Sequence, residues 1–292
     1  MEFNYKTFCA ALLFAASATP TMAQSQMTVH LKDGGEQSFS TSDIDSITFD
    51  KDERAFDISI GQISDGNVTY TISPKSDKVT TYFQDIHSKE KFDTESAKPE
   101  NGGSIMGFDK AWFEWLASMY GTTWLDEIKP YLKEGEYTTT TDPGAIYLRW
   151  NTDYVVYCYG FDSDGAATSE VETKVFKTPS PVPSTNEISA KIDKVSSNSF
   201  VATVTTTNND PYFITAQSKE NVDKFSNDDD LAYSLVSYSY NSPSFWQSGS
   251  IITNEADFAY LRPDTDYVLI IFGFKDGPTT AVQKIPFHTK AE

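Results

Sequence analysis

Cysteine and histidine are nearly missing from this chain of 292 residues, which has two Cys and three His. That leaves little for a zinc site or a disulfide framework. Basic residues are also scarce. Lys and Arg total 23 against 42 Asp and Glu, a formal net charge of -19. Nucleic acid and anionic membranes both need clustered Lys and Arg, so neither is an expected partner. Reactive motifs are lacking too: there is no Gly-x-Ser-x-Gly elbow, no His-Glu-x-x-His and no Cys-x-x-Cys. Gly102-Gly103-Ser104-Ile105-Met106-Gly107 has the wrong spacing for an elbow and reads as a flexible linker. His30, His87 and His288 fall in three different elements and read as structural. Counting does not exclude a glycosidase pair of carboxylates, yet most acids lie in turns and loops, where solvation explains them. Asp162-Ser163-Asp164-Gly165 and Asn227-Asp228-Asp229-Asp230 offer oxygen ligands, but neither completes a calcium loop with a terminal Glu. No catalytic residue, metal or cofactor is expected.

Aromatic residues are plentiful. They make up 14% of the chain, with 16 Tyr and 20 Phe, a bias toward β structure. The N-terminus has Lys6, an apolar run over residues 7–18 and a small-residue end at Ala23. A dozen apolar residues cannot span the ~30 Å of a bilayer core. The pattern predicts a signal peptide over residues 1–23, with no integral membrane segment once it is removed. Cys9 sits inside the apolar run and does not fit a lipid-attachment site. Cys158 is then the one remaining thiol, and an exported chain with a single thiol has no internal disulfide.

The chain repeats itself. Tyr147-Leu148-Arg149-Trp150-Asn151-Thr152-Asp153-Tyr154-Val155 and Tyr260-Leu261-Arg262-Pro263-Asp264-Thr265-Asp266-Tyr267-Val268 agree at seven of nine positions, at an offset of 113. Upstream, Tyr82-Phe83 and Ser88-Lys89-Glu90 answer Tyr212-Phe213 and Ser218-Lys219-Glu220 at an offset of 130. The first copy therefore carries 130 − 113 = 17 extra residues in its middle. Cys158 aligns with Ile271, which predicts a core position rather than a nucleophile. Between the copies, Pro179, Pro181 and Pro183 alternate in a Pro-rich linker over residues 179–187, which predicts an extended, semi-rigid spacer. Alternating β-formers at Val68–Ile72 and Phe200–Thr205, with Asp164-Gly165 and Asp276-Gly277 as turn pairs, make each copy read as strands.

Leu261-Arg262-Pro263-Asp264-Thr265-Asp266-Tyr267-Val268-Leu269 resembles the Leu-x-Pro-x-Thr-x-Tyr turn of fibronectin type III modules. The resemblance implies a seven-stranded sandwich per copy, with the Tyr hydroxyl bonded back to nearby backbone. The first copy departs at Trp150, which replaces Pro263 and predicts a looser turn. The implied fold class is all-β: two tandem fibronectin type III-like β-sandwiches with helical insertions, over residues 56–178 and 188–292. Ahead of them, Met27–Gly35 and Ser42–Phe49 form a hairpin pattern over residues 24–55. It is similar to an N-terminal element of secreted and surface proteins of the Bacteroidetes.

The middle of the first copy is not strand-like. Phe108, Trp112, Trp115, Leu116 and Met119 recur at helical spacing, which predicts a helix over 108–120 and a second over 124–132. In the second copy, Leu231–Tyr238 occupies the same place, with Asp228, Asp229 and Asp230 ahead of it. The aromatic stripe reads either as a ligand platform or as packing onto its own sandwich. Trp124, Tyr240 and Trp246 lie off the stripe and are the candidate exposed, ligand-binding residues. The segment from Tyr238 to Trp246 has the polar-aromatic character of a contact loop. The function expected is a non-catalytic secreted or cell-surface binding protein with a glycan or extracellular protein as partner; export alone does not separate the periplasm from the outer surface. A structural spacer of an adhesin or envelope complex, and a protease inhibitor or enzyme accessory, are the alternatives.

Overall fold

The computed structural model describes residues 26–30, 35–43, 54–75 and 79–292. The expected signal peptide, and residues 44–53 of the hairpin region, lie outside them. The chain divides into two compact units, residues 1–53 and 54–292. In the first, strand β1 (Gln26–His30) pairs antiparallel with β2 (Glu36–Ser40).

The second unit contains two sandwiches. The first is built from β3 (Phe56–Ser64), β4 (Asn67–Pro74), β5 (Tyr82–Ser88), α1 (Lys89–Ala97), α2 (Ile105–Tyr120), α3 (Trp124–Ile128), β6 (Tyr137–Thr140), β7 (Asp153–Gly160) and β8 (Glu172–Lys177). The second is built from β9 (Ile188–Val195), β10 (Phe200–Thr206), β11 (Tyr212–Ser218), α4 (Lys219–Val222), α5 (Asp228–Ser239), β12 (Trp246–Gln247), β13 (Ile251–Ile252), β14 (Asp266–Gly273) and β15 (Gln283–His288). Sheet β3-β4-β6 faces β5-β7-β8, and β13-β10-β9 faces β12-β11-β14-β15. The second sandwich has the seven strands implied by the fibronectin type III resemblance. The first has six: where β12 pairs with β11, only a single bridge from Tyr82 to Lys133 remains. The longer helical insert takes the place of that edge strand.

The repeat holds down to register. Tyr82 faces Gly160 and Ser88 faces Tyr154; in the second copy Tyr212 faces Gly273 and Ser218 faces Tyr267. The turn before β7 and β14 is the same object twice. Arg149 N–H donates to the Tyr154 hydroxyl at 2.8 Å, and Arg262 N–H to the Tyr267 hydroxyl at 3.0 Å. The Thr152 and Thr265 hydroxyls donate to the carbonyls of Trp150 and Pro263, each at 2.8 Å. The Thr178 and Thr289 hydroxyls donate to the carbonyls of Arg149 and Arg262, each at 2.6 Å. Asn151 and Asp264 adopt φ of 50° and 49°. Trp150 therefore does not loosen the turn: the hydrogen bonds, not proline, define it.

Each sandwich is three layers deep. Between the sheets of the first lie Tyr70, Ile72, Tyr82, Tyr154, Val156 and Cys158; Cys158 is fully buried, and burial pushes its thiol pKa up. The second copy places Tyr267, Leu269 and Ile271 at the matching sites. The alternate residues of β7, Val155, Tyr157 and Tyr159, face the insert, against Ile105, Phe113 and Ile128. On β14, Val268, Ile270 and Phe272 face Leu231, Leu235 and Val236 of α5. Both central strands are thus covered on both sides.

Helices α2 and α5 start earlier than the periodicity predicts, whereas α3 starts at Trp124 as expected. Ser104 caps α2, accepting from Gly107 N–H at 3.1 Å, and Asn227 caps α5. The segment 102–107 is a fixed corner, not a flexible linker. Gly102 and Gly103 take φ of 66° and 69°, and a Cβ on Gly107 would lie 1.8 Å from the Asn101 carbonyl oxygen. Helices α1 and α4 were not legible as helices; Ser88 and Ser218 cap them in equivalent positions.

Tyr154→Phe and Tyr267→Phe each leave a partly buried amide without its acceptor. Each is expected to lower unfolding free energy by about 1–3 kcal/mol. Urea denaturation checks this, and the two losses should be similar because the two turns are.

Candidate functional site

The turn before β7 carries side chains that its twin does not use. Trp150 is buried against the second sandwich, edge-on to Tyr233 (5.9 Å) and Phe274 (5.8 Å), and its indole N–H donates to Asp229 Oδ1 at 2.7 Å. Arg149 pairs with Asp229 and, at 2.7 Å, with Asp230, while its guanidinium lies 5.3 Å from the Tyr233 ring centre. The Tyr233 hydroxyl donates to the Tyr147 carbonyl at 3.0 Å. The linker is pinned to both sides: Asn151 N–H donates to Pro179 O and Ser184 N–H to Thr279 O, each at 2.9 Å. The second copy has Tyr260, Arg262 and Pro263 at the matching places, and all but Pro263, which is half-buried, are exposed. The acids of the 227–230 cluster that looked available for calcium are engaged: Asp229 and Asp230 by Arg149, and Asp228 by Lys284. Asp162 Oδ1 accepts from Asp164 and Ala166 N–H, so the other cluster is a turn.

Beside this junction lies a cleft of about 360 Å³, lined by Asp65, Tyr147, Pro211, Tyr240, Trp246, Phe274, Lys275 and Asp276. It unites two sequence candidates, Tyr240 and Trp246, with Tyr147 and Phe274. The four rings close a cycle. Centroid distances are 5.4 Å for Tyr147–Tyr240, 6.3 Å for Tyr240–Trp246, 5.2 Å for Trp246–Phe274 and 6.4 Å for Phe274–Tyr147. The Trp246 indole donates to the Tyr240 carbonyl at 3.1 Å. Burial, reinforced by the nearby carboxylates of Asp276 and Asp65, pushes the Tyr147 phenol pKa up. Burial does the same at Tyr240, with Asp65 and Asp142 adding to it. Nothing in the sequence joined Asp65 to this group, because the hairpin carrying it lies far away in the chain.

Trp124 stands apart. It is half-buried, edge-on to Phe161 at 5.7 Å, with Lys110 Nζ 5.2 Å from its ring centre. Its neighbour is Gly165, whose Cβ would fall 2.8 Å from the indole; in the second copy, Gly277 meets Trp150 at the same 2.8 Å. So Phe161 is capped by the first sandwich's own Trp124, as Phe274 is capped by Trp150 from across the junction. The three candidates expected to be exposed are all half-buried: Trp124 packs on Phe161 and Trp246 on Phe274, each just past a central strand, and Tyr240 packs on Tyr147 and Trp246. Exposed aromatics lie elsewhere: Tyr238 at the end of α5, Tyr260 and Tyr131 singly, and a group on the stripe. The face of α2 with Ile105, Phe113 and Ala117 is buried, and Trp112 (50% exposed), Trp115 (48%), Met119 and Tyr120 point outward. The Trp112 and Trp115 rings lie 4.9 Å apart at 31°. Next to them is a groove of about 340 Å³ lined by Glu95, Lys98, Glu100, Asn101, Phe108 and Ala111.

Under α2 sits a buried carboxylate. Asp109 accepts from the Tyr157 hydroxyl at 2.8 Å and from the Tyr159 hydroxyl at 3.2 Å. Burial pushes its pKa up to about 7 against these two bonds; Asp85 adds to the rise and Lys91 opposes it. His87 on β5 is buried as well, and its Nε2 has no hydrogen-bond partner. These groups lie beneath the insert. Among the described residues, no group of His, Cys, Asp or Glu is arranged to hold a metal ion, and no helix is long and apolar enough to cross a membrane.

No family model and no curated protein matches the chain. Among solved structures it is similar to a two-domain fibronectin type III segment of chicken tenascin, at 11% identity and a TM-score of 0.23, covering 80% of this chain and 98% of that one. It is also similar to the FN1–FN3 domains of chicken CNTN1, at 13% identity and a TM-score of 0.22, covering 80% of this chain and 63% of that one. The sandwich assignment itself stands on the strand order and the paired tyrosine turns.

Asp109 gives the insert a pH signature. Its folded pKa lies above the unfolded carboxylate value of about 4. The associated stability is complete below that value and is lost as pH rises through about 7. Asp109→Asn does not titrate. Its stability relative to the parent chain should rise by roughly 2–4 kcal/mol between pH 4 and pH 8. Urea unfolding across that range checks this, and a difference that stays flat contradicts it.

Proposed function

We propose that the chain is a non-catalytic binding protein, exported to the cell surface or secreted, that offers the outer face of α2 to a neutral glycan. The observation that carries this is the exposed Trp112–Trp115 pair beside a polar-walled groove. Indole faces stack on the apolar faces of sugar rings, and side-chain donors and acceptors beside them meet the hydroxyls. Here those groups are held in place. Lys98 Nζ lies 2.8 Å from Glu95 Oε1, and the Asn101 amide donates to the Glu95 carbonyl at 2.9 Å. A net charge of -19 disfavours acidic polysaccharides. Burying these rings in the protein's own core is not an option for them, because Phe113 and Ile105 already fill that role.

The junction favours a second reading, a spacer within an adhesin or envelope assembly. Two sandwiches fixed by Trp150 and Arg149 hold a defined separation, which a spacer requires. The protein-partner form of the first reading uses the same α2 face.

The double substitution Trp112→Ala, Trp115→Ala separates the readings. On an array of neutral polysaccharides the parent chain should bind at least one class, and the variant should bind it at least about tenfold more weakly. Exposed positions cost little when truncated, so its unfolding free energy should stay within about 0.5 kcal/mol of the parent. Silence of the parent chain on the array would overturn the glycan reading. Undiminished binding by the variant would move the site elsewhere.

A further inference from the structure

We infer that the four-ring cleft beside the junction is a binding site for a small molecule ending in a methylated ammonium group. This goes beyond the α2 face and does not depend on it. Tyr147, Tyr240, Trp246 and Phe274 are contributed by both sandwiches, and adjacent rings in the cycle are 5.2–6.4 Å apart. The cleft they line measures about 360 Å³, enough for a compact organic cation. The ring faces carry the negative end of the aromatic quadrupole, which attracts a cation set against them.

Carboxylates reinforce that choice. Asp65 and Asp276 line the cleft, and the Asp276 carboxylate is held there by the backbone N–H of Asp65, which donates to its Oδ1. Asp142 adds negative potential at Tyr240. Lys275 is the single cation in the lining. It offsets one of the two lining carboxylates and leaves the cleft net negative. An anionic ligand is thereby disfavoured.

The ring lining selects the kind of cation, since its one indole N–H is already spent on the Tyr240 carbonyl and the rest of the ring surface is apolar. A primary ammonium has three N–H donors to satisfy and is strongly hydrated. At the rings its acceptors would be only the phenol oxygens of Tyr147 and Tyr240, and of the lining carboxylates Asp276 already accepts from Asp65 N–H. A methylated ammonium has few or no N–H groups, gives up its weak hydration readily and presents methyls to the rings. Trp246 and Tyr240 are half-buried, so the cleft opens to solvent on their side.

The test is calorimetric titration of the full chain with choline at constant ionic strength, beside its uncharged carbon isostere 3,3-dimethylbutan-1-ol. Choline is expected to bind saturably, with a dissociation constant on the order of millimolar, and the isostere at least about tenfold more weakly. Tyr240→Ala and Asp276→Asn should each weaken choline binding by about fivefold or more. Thermal melting shows whether each variant is folded, and the Asp276→Asn side-chain change is small enough to keep the reading available if Tyr240→Ala is not. No saturable choline binding at up to about 100 mM would overturn the inference. So would equal binding of the neutral isostere, which would make the cleft merely apolar. Neither result bears on glycan binding at Trp112 and Trp115, which the array reads separately.

Discussion

The hydroxyls of Tyr154 and Tyr267 each take the amide proton of the residue five positions earlier, and the architecture is organised around that turn. The bond fixes where β7 and β14 begin, and hence which residues face the opposite sheet and which face the helical insert. A strand's side chains alternate, so a slip of one residue would exchange the two sets. Thr178 and Thr289, each the residue just past the strand that follows, close the turn from the other side. Because the hydrogen bonds carry the geometry, position 150 is released from its structural duty. The first copy puts Trp there, and that side chain reaches the neighbouring sandwich.

A central strand covered on both faces explains the insert. Tyr154-Val155-Val156-Tyr157-Cys158-Tyr159 and Tyr267-Val268-Leu269-Ile270-Ile271-Phe272 are continuous apolar runs, not alternating ones. One set of residues fills the space between the sheets. The other needs a cover, which α2, α3 and α5 provide. Each fully buried large side chain on that face contributes about 1.5–3 kcal/mol. The insert is therefore part of the folded core, while its outer side is free to vary. In the first copy that outer side bears Trp112, Trp115, Met119 and Tyr120. In the second, the N-terminal turn of α5 holds the acids that receive Arg149.

Much of this was legible in the sequence because the chain states it twice. The repeat marked Tyr154 and Tyr267 as equivalent, and the pairing of Cys158 with Ile271 marked a core position. The helical period found α2 and α5, though not their capped starts at Ser104 and Asn227. The short α1 and α4 escaped notice because Lys89–Ala97 and Lys219–Val222 show little apolar periodicity; the paired Ser88 and Ser218 were the available signal. The exposure of single aromatics was misjudged for a physical reason. A sequence period shows that α2 has a packed face but not how wide it is, and Trp246, in a strand of two residues, carries no period at all. The cleft was half legible, through Tyr240 and Trp246. Asp65 and Tyr147 belong to the other sandwich, and only the junction brings them together.

The junction thus links fold to function. Without Trp150 and Arg149 seated on Tyr233 and Asp229, the cleft loses its second wall and the two sandwiches lose their common frame. The most direct test is to align the protein weakly in solution and measure backbone residual dipolar couplings for residues 54–178 and 188–292. One alignment tensor should fit both sandwiches of the parent chain, and two should be needed for Trp150→Pro, which installs the residue of the second copy and so keeps the turn while removing the contact. Separate tensors in the parent chain, or a single shared tensor in Trp150→Pro, would contradict the account.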